Sequence, residues 1–390
     1  MKKLVLKSGR ERSLLNRHPW VFSGAVKDLP DSSNGEIVQI VTNHHDLLGY
    51  GFFSPNSQIT CRVFEFTNDP IEITPDYWHQ KLVNAQNLRR QLFNFSETNC
   101  YRLLHAEGDF FPGIIVDIYA HVAVVQVLVK GVEHIAGSVF SALNQMGFSH
   151  IYVKTKQTTQ LLESVEQSSR WIGEAASMPL RVLEHGVQFY VDVEKGQKTG
   201  FFIDQRENRK TLGEWSKNKN VLNTFSYSGG FSLYALQAGA HLVHSVDSSK
   251  DAIAMGEANV ALGAYKGKHE SFVMDCFEFL KQAEPNFYDI IILDPPAFAK
   301  NARSVDNAAR GYKNLNMLGI QKVKPGGLVF TYSCSQHIDK DLFRKIVFGA
   351  AADVKRNVRI LKQLSQPEDH PINIYHPEGE YLKGLFLMVD

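Results

Sequence analysis

The sequence predicts an α/β protein. Its largest part is a seven-stranded, doubly wound sheet, preceded by a small β barrel and a central α/β domain. Three observations carry this. Short apolar runs alternate with helical stretches from residue 221 to 334, the pattern of parallel strands joined by crossover helices. The stretch 221–247, VLNTFSYSGGFSLYALQAGAHLVHSVD, reads as strand, glycine turn, helix, strand, acid, which is half of a nucleotide-binding crossover. Residues 1–70 hold β-like runs about ten residues apart, broken by turn signals, as in a small barrel.

Composition bounds the rest. A length of 390 residues suits two or three domains, and the expected division is 1–70, 71–185 and 186–390. Hydrophobic content of 44% and charged content of 21% are ordinary for a globular chain. No run of 18 apolar residues exists, so no membrane span is expected. The start, Met1-Lys2-Lys3-Leu4-Val5-Leu6-Lys7, lacks the apolar core of a signal peptide. Cys61, Cys100, Cys276 and Cys334 are scattered without a C-x-x-C pair, so neither a zinc site nor a disulfide framework is expected. A cytoplasmic protein without a metal is the expectation. Net charge is +1, but residues 1–27 carry Lys2, Lys3, Lys7, Arg10, Arg12, Arg17 and Lys27 against Glu11 alone. Such a block suits phosphates, or a solvated basic face.

In order, the barrel strands include 20–22, 35–41, 47–53 and 59–64, and Asn68-Asp69-Pro70 closes that part. Trp78, Leu82, Ala85, Leu88 and Leu92 then recur at helical spacing within 76–99. Strands are expected at 114–118, 122–129 and 151–153, with a helix over 133–146. This second unit offers no acid–base cluster by sequence. A strand over 184–193 precedes a polar turn and Asp204-Gln205-Arg206, which opens a helix towards Trp215. The large sheet takes strands 221–225, 242–247, 271–276, 288–294 and 328–334, with helices over 251–262 and 277–283. Runs 358–364 and 382–389 lack a long helix between them and should form an antiparallel hairpin at one edge. Five parallel strands plus that hairpin is the Rossmann-like arrangement of S-adenosylmethionine (SAM)-dependent methyltransferases, not of a dehydrogenase.

Ligands of open α/β sheets sit at the carboxyl ends of strands. Those ends here are the turn Ser226–Gly230, then Asp247, Asp275-Cys276-Phe277, Asp294-Pro295-Pro296 and Ser333-Cys334-Ser335. Only the Gly229-Gly230 pair stands where a dinucleotide site has G-x-G-x-x-G, so adenosine with a short polar tail fits better than a pyrophosphate. SAM matches. Asp247, 18 residues after Gly229, is placed for the ribose hydroxyls. Asp275 is placed for an adenine amino group, with Phe277 against the ring. The candidate cofactor residues are Phe225, Ser226, Tyr227, Gly229, Gly230, Asp247, Ser248, Asp275, Cys276 and Asp294. Taken singly, Asp247 or Asp275 would read as a helix N-cap. Asp294 heads a rigid strand exit, and Phe298 offers a stacking surface for a planar substrate. Cys334, flanked by two serines, is the candidate nucleophile; its bland alternative is a small buried residue. The chemistry that needs a thiolate is methylation at carbon 5 of cytosine. Addition of sulfur to carbon 6 makes carbon 5 nucleophilic. Asp294 would bind the N3/N4 edge.

The chain closely resembles the RlmI-type 23S rRNA (cytosine-C5) methyltransferases of bacteria. The resemblance is carried by 17–25 (RHPWVFSGA), 198–206 (KTGFFIDQR), 223–231 (NTFSYSGGF), Asp294-Pro295-Pro296, 310–316 (RGYKNLN), Ser333-Cys334-Ser335 and Tyr381-Leu382-Lys383-Gly384. It spans nearly the full length; the stretch 150–180 looks shortened. It implies an N-terminal PUA domain that helps dock RNA, a central α/β domain and a class I methyltransferase domain that holds SAM. Cys334 would be the nucleophile and Asp294 the cytosine-edge partner. Arg17, Pro295, Phe298, Tyr312, Lys313, Asp204 and Arg206 would border the substrate. For Asp204 the alternative is a capped helix start, and for Tyr312 and Lys313 helix packing. The implied partner is 23S rRNA or a large-subunit precursor, with a homodimer left open. Two other functions stay in view: an RNA methyltransferase acting on guanine N7, and a non-catalytic RNA-binding assembly factor.

Overall fold

The computed structural model describes residues 1–155, 165, 168–299 and 301–390; part of the 150–180 stretch lies outside the described residues. The chain separates into two compact units. One comprises 1–183, 191–203 and 368–380, the other 184–190, 204–367 and 381–390.

The first unit holds two sheets. Strands Lys3–Leu6, Trp20–Phe22, Val26–Asp28, Ile37–Val41, Leu47–Phe53 and Ile59–Glu65 form a six-stranded sheet. Its core is apolar, with Leu4, Leu6, Val21, Val38, Ile40 and Val63 packed together. The seven basic side chains of 1–27 are all exposed. The second sheet takes Cys100–His105, Ile114–Tyr119, Val122–Val127, His150–Val153 and Arg170–Ile172. Helix Pro75–Leu92 begins where Thr74 Oγ1 accepts from Tyr77 N with Pro75 in the first turn, a standard start. Its buried stripe is Trp78, Leu82, Ala85 and Arg89.

That stripe brings in ionic pairs that the sequence did not single out. Arg89 is fully buried. It donates from Nε to Arg102 O (2.7 Å), from both terminal nitrogens to Asp109, and to Asp369 O (2.7 Å). Arg102 in turn forks onto Asp117 at 2.7 and 2.9 Å. The same network moves two sequence boundaries. Asp369 Oδ2 accepts from Arg102 N, and Thr199 Oγ1 donates to Asp117 Oδ2. Segments 368–380 and 191–203, expected in the third domain, therefore lie with the first unit.

The second unit is the expected seven-stranded sheet. Its strands are β1 (Asn220–Thr224), β2 (Leu242–Asp247), β3 (Lys268–Val273), β4 (Tyr288–Leu293), β5 (Val323–Ser333), β6 (Val358–Leu364) and β7 (Lys383–Val389). The order is β3-β2-β1-β4-β5-β7-β6. The first five are parallel, and β7 runs antiparallel to both neighbours. Helices are α1 (Arg206–Trp215), α2 (Gly230–Gln237), α3 (Lys250–Val260), α4 (Cys276–Gln282), α5 (Val305–Lys322) and α6 (Lys340–Val354). Central β4, Tyr-Asp-Ile-Ile-Ile-Leu, is buried except at Asp289, as expected of a strand covered on both faces. Strand β5 begins five residues earlier than the sequence suggested. Val323 pairs with Tyr288 across an irregularity, and Pro325-Gly326-Gly327 disguises that start as a turn.

Replacing Arg89 by Met should cost about 3–5 kcal/mol of stability, because the Asp109 carboxylate stays buried without its counter-charge. Urea unfolding checks this; an unchanged midpoint would contradict it.

Candidate active site

Strand register brings the candidate residues to one edge. Thr224 of β1 lies level with Val246 of β2 and Leu293 of β4, and Leu293 lies level with Thr331 of β5. Just beyond that line come Phe225, Asp247, Asp294 and the 333–335 turn. Asp247 is level with Val273, so Asp275 follows at the same edge. The order reverses between β1 and β4, which makes this the topological switch point where open sheets bind ligands.

The turn after β1 is tightly determined. Phe225 (φ 54°), Tyr227 (φ 46°) and Gly229 (φ 80°) all have left-handed backbones, unfavourable for the two aromatic residues. Neighbouring elements hold them. Phe225 N donates to Cys276 Sγ (3.1 Å), Ser226 N to Val246 O (3.0 Å) and Tyr227 N to Asp247 Oδ2 (2.9 Å). Asn259 of α3, fully buried, donates from Nδ2 to Ser228 O (2.9 Å) and accepts from Tyr190 N (2.6 Å). Gly256 of α3 packs against the same turn, where a Cβ would make an ordinary contact 3.5 Å from the Ser228 carbonyl carbon.

This edge fits SAM. The hydroxyls of Ser226 and Ser228 are buried without a protein hydrogen-bond partner, as is that of Tyr332. Asp247 is half-buried, with Oδ1 and Oδ2 each taking one backbone N–H, so each oxygen retains a lone pair for a ribose hydroxyl. Asp275 caps α4, its Oδ1 accepting from Phe277 N and Glu278 N; the capping and the adenine-edge readings are compatible, since the described bonds use only one oxygen. Phe225, Phe277 and Phe298 follow one another with ring centroids 6.4 and 6.3 Å apart, an apolar wall for a flat base.

At the ends of the adjacent strands β4 and β5, Asp294 and Cys334 are both half-buried. The other three cysteines are buried. The turn after β5 is braced: Ser335 Oγ accepts from Ala299 N (3.1 Å) and bonds Tyr312 Oη (2.9 Å). Ser248 and Pro296 are exposed, Phe298 is half-buried and Pro295 is buried.

Several expectations change. Cys276 is 2% exposed and its thiol serves the core, donating to Val246 O and accepting from Phe225 N; burial pushes it up to about 12. Any part in holding SAM would fall to its main chain. Arg206, expected at the substrate border, is fully buried, with Nε donating to Glu207 Oε1. Tyr312 is also fully buried, its phenol raised by desolvation; it supports the Ser335 turn. Lys313 pairs with Asp353 of α6 at 2.8 Å. Asp204 is buried and accepts from Tyr381 Oη (2.8 Å). Arg17 belongs to the first unit, exposed, its guanidinium 5.9 Å from the Phe66 ring centre. Sequence reasoning passed over Asn259, Gly256 and Tyr332. An Asn and a Gly inside a helix were the available signal for the first two. No group of three or more His, Cys, Asp or Glu suited to a metal occurs among the described residues, and no helix there is long and apolar enough to cross a membrane.

A doubly wound seven-stranded sheet with an adenosine-type crevice defines the SAM-dependent methyltransferases. In keeping with this, residues 102–373 match the model of the S-adenosylmethionine-dependent methyltransferase family, and residues 4–66 that of the PUA-like domain. A solved methyltransferase, SMU.776 complexed with SAH, superimposes with a TM-score of 0.85 at 25% identity, covering 100% of both chains. A SAM-dependent methyltransferase from Streptococcus mutans shares the fold at a TM-score of 0.83, 24% identity and 100% coverage of both. Curated relatives named ribosomal RNA large subunit methyltransferase I include those of Shewanella amazonensis (40% identical, 99% of both chains) and Alteromonas mediterranea (38%, covering 98% of this chain and 97% of that one). The chain belongs to the ribosomal RNA large subunit methyltransferase I family. It is a SAM-dependent enzyme.

Asn259→Ala should weaken SAM binding about tenfold, roughly 1.4 kcal/mol, by releasing the Ser228 carbonyl. Titration calorimetry reads it; unchanged affinity in a folded variant would show that the turn holds without α3.

Proposed function

We propose that this enzyme methylates carbon 5 of a cytidine in large-subunit (23S) rRNA through a covalent Cys334 adduct. The observation that carries the reading is the placement of Cys334. It is the one cysteine of the four that is not buried, and it follows Ser333 at the strand end next to Asp294. Methylation at a ring nitrogen would not require it.

The base leaves its stack to enter the crevice, with Phe298 as a platform and Pro295 shaping the wall. The Cys334 thiolate adds to carbon 6, and the pyrimidine electrons move to carbon 5. Asp294 holds the N3/N4 edge and stabilises the adduct. The 225–230 turn, Asp247, Ser248 and Asp275 would hold SAM, which would supply an electrophilic methyl group on a sulfonium. Carbon 5 would form the new bond to that methyl as the methyl–sulfur bond breaks, its electron pair staying on sulfur in S-adenosylhomocysteine. A base then removes the carbon-5 proton, the carbon–sulfur electron pair returns to Cys334, and the aromatic ring is restored. The three-part reading of the chain belongs to this proposal: residues 1–70, with Arg17 and the exposed basic block, dock RNA; 71–185 is a central domain; 186–390, less the segments 191–203 and 368–380 that lie with the first unit, carries the chemistry. A cytoplasmic site of action follows from an rRNA substrate.

Cys334→Ala should retain SAM binding and lose methylation by at least about a thousandfold. Nucleoside mass spectrometry of rRNA from a strain lacking the modification reads the product. Wild-type rates of 5-methylcytidine formation by the variant would exclude the thiolate route.

A further inference from the structure

The segment Tyr381-Leu382-Lys383-Gly384 has no role in the mechanism above, yet it lies beside the nucleophile. Lys383 opens β7 and pairs directly with Ser333 of β5. Its side chain is buried, with 4% of the residue exposed. Nζ donates to Ser335 O and to Tyr381 O, both at 2.7 Å. Cys334 is thus the residue between one that Lys383 faces across the strands and one whose carbonyl it grips.

The Tyr381 carbonyl is itself fixed. Tyr381 N donates to Gln366 Oε1 (3.1 Å) and Tyr381 Oη to Asp204 Oδ2 (2.8 Å). Gly384 makes room for this packing, since a Cβ there would meet the Tyr332 ring at 2.6 Å. A lysine ammonium is a poor tenant of a buried site unless its charge is used. Here it grips the carbonyl of the residue that follows Cys334, a thiol whose reactive form is the anion.

We propose that Lys383 is a positioning residue for the reaction. It fixes the Cys334–Ser335 turn through the Ser335 carbonyl, and its charge favours the Cys334 thiolate. This rests on the reading of Cys334 as nucleophile. Tyr381 and Asp204 act one step further out, anchoring the carbonyl that shares the ammonium. Among the described residues around the turn, Arg209 acts on Tyr332 but is forked onto Glu184. Asp294, at the end of the adjacent strand, is a carboxyl group and brings no positive charge. Tyr312, from α5, and Tyr332 have phenols raised by burial and stay neutral. His337 follows in the turn and is exposed.

The test is the pH profile of iodoacetamide alkylation at Cys334, followed by mass spectrometry of its peptide, in wild type, Lys383→Met and Lys383→Arg. SAM binding checks the fold. The wild-type midpoint should lie below the ordinary thiol value of about 8.5. Lys383→Met should raise it by about one unit, slowing alkylation at pH 7 about tenfold, and Lys383→Arg should restore part of the shift. A profile for Lys383→Met that superimposes on wild type overturns the proposal. So does a wild-type midpoint at or above 8.5, which needs no variant to fold. Alkylation does not depend on turnover. Persistence of methylation in Cys334→Ala would therefore sink the nucleophile reading while leaving this thiol–ammonium coupling separately decided.

Discussion

Three residues in a row of five, Phe225, Tyr227 and Gly229, hold left-handed backbones at the end of β1. Phe225 and Tyr227 would not adopt them in isolation. They persist because four neighbours fix the surrounding amides and carbonyls: Cys276 from the start of α4, Val246 and Asp247 from β2, and Asn259 from α3. The cofactor crevice exists only while that turn keeps its shape. A pre-formed turn also spares SAM the cost of ordering it.

The substrate half of the edge is built on the same principle. The turn after β5 is tied to the Asp-Pro-Pro exit through Ala299 N, to α5 through the Tyr312 phenol, and to β7 through Lys383. Two half-buried groups, Asp294 and Cys334, stand beside a shell of buried ones. Sites whose supporting side chains are locked in this way keep reacting atoms within the narrow limits that catalysis requires. Buried Tyr312 belongs to this shell through its bond to Ser335, a supporting position within the segment 310–316 that stands out in the sequence.

Much of the fold was legible. Central β4 is apolar but for Asp289 because both faces of the sheet are covered there, and β6 and β7 revealed themselves by lacking a helix between them; edge strand β3, Lys-His-Glu-Ser-Phe-Val, carries no such run and starts at Lys268 rather than at the expected 271. Strand ends then placed Asp247, Asp275, Asp294 and Cys334 together without any contact information. What remained hidden was long-range. Nothing local marks Arg89 as the partner of Asp109 and of a carbonyl at 369, because a buried arginine and a solvated one look alike in sequence. The same holds for Cys276, whose position at a strand end suggested the crevice while its thiol points to the core. Lys383 lay in plain view within a shared segment; only the β5–β7 register shows what it touches.

The covalent step is the centre of the account. Large-subunit rRNA carrying 5-fluorocytidine tests it most directly, because fluorine at carbon 5 cannot leave as the proton does, so the adduct cannot release the enzyme. With SAM present, the wild-type chain should become joined to this RNA in a complex that survives denaturing electrophoresis, with the link mapped to Cys334. Absence of any such complex, under conditions where unmodified RNA is methylated at carbon 5, would contradict the account.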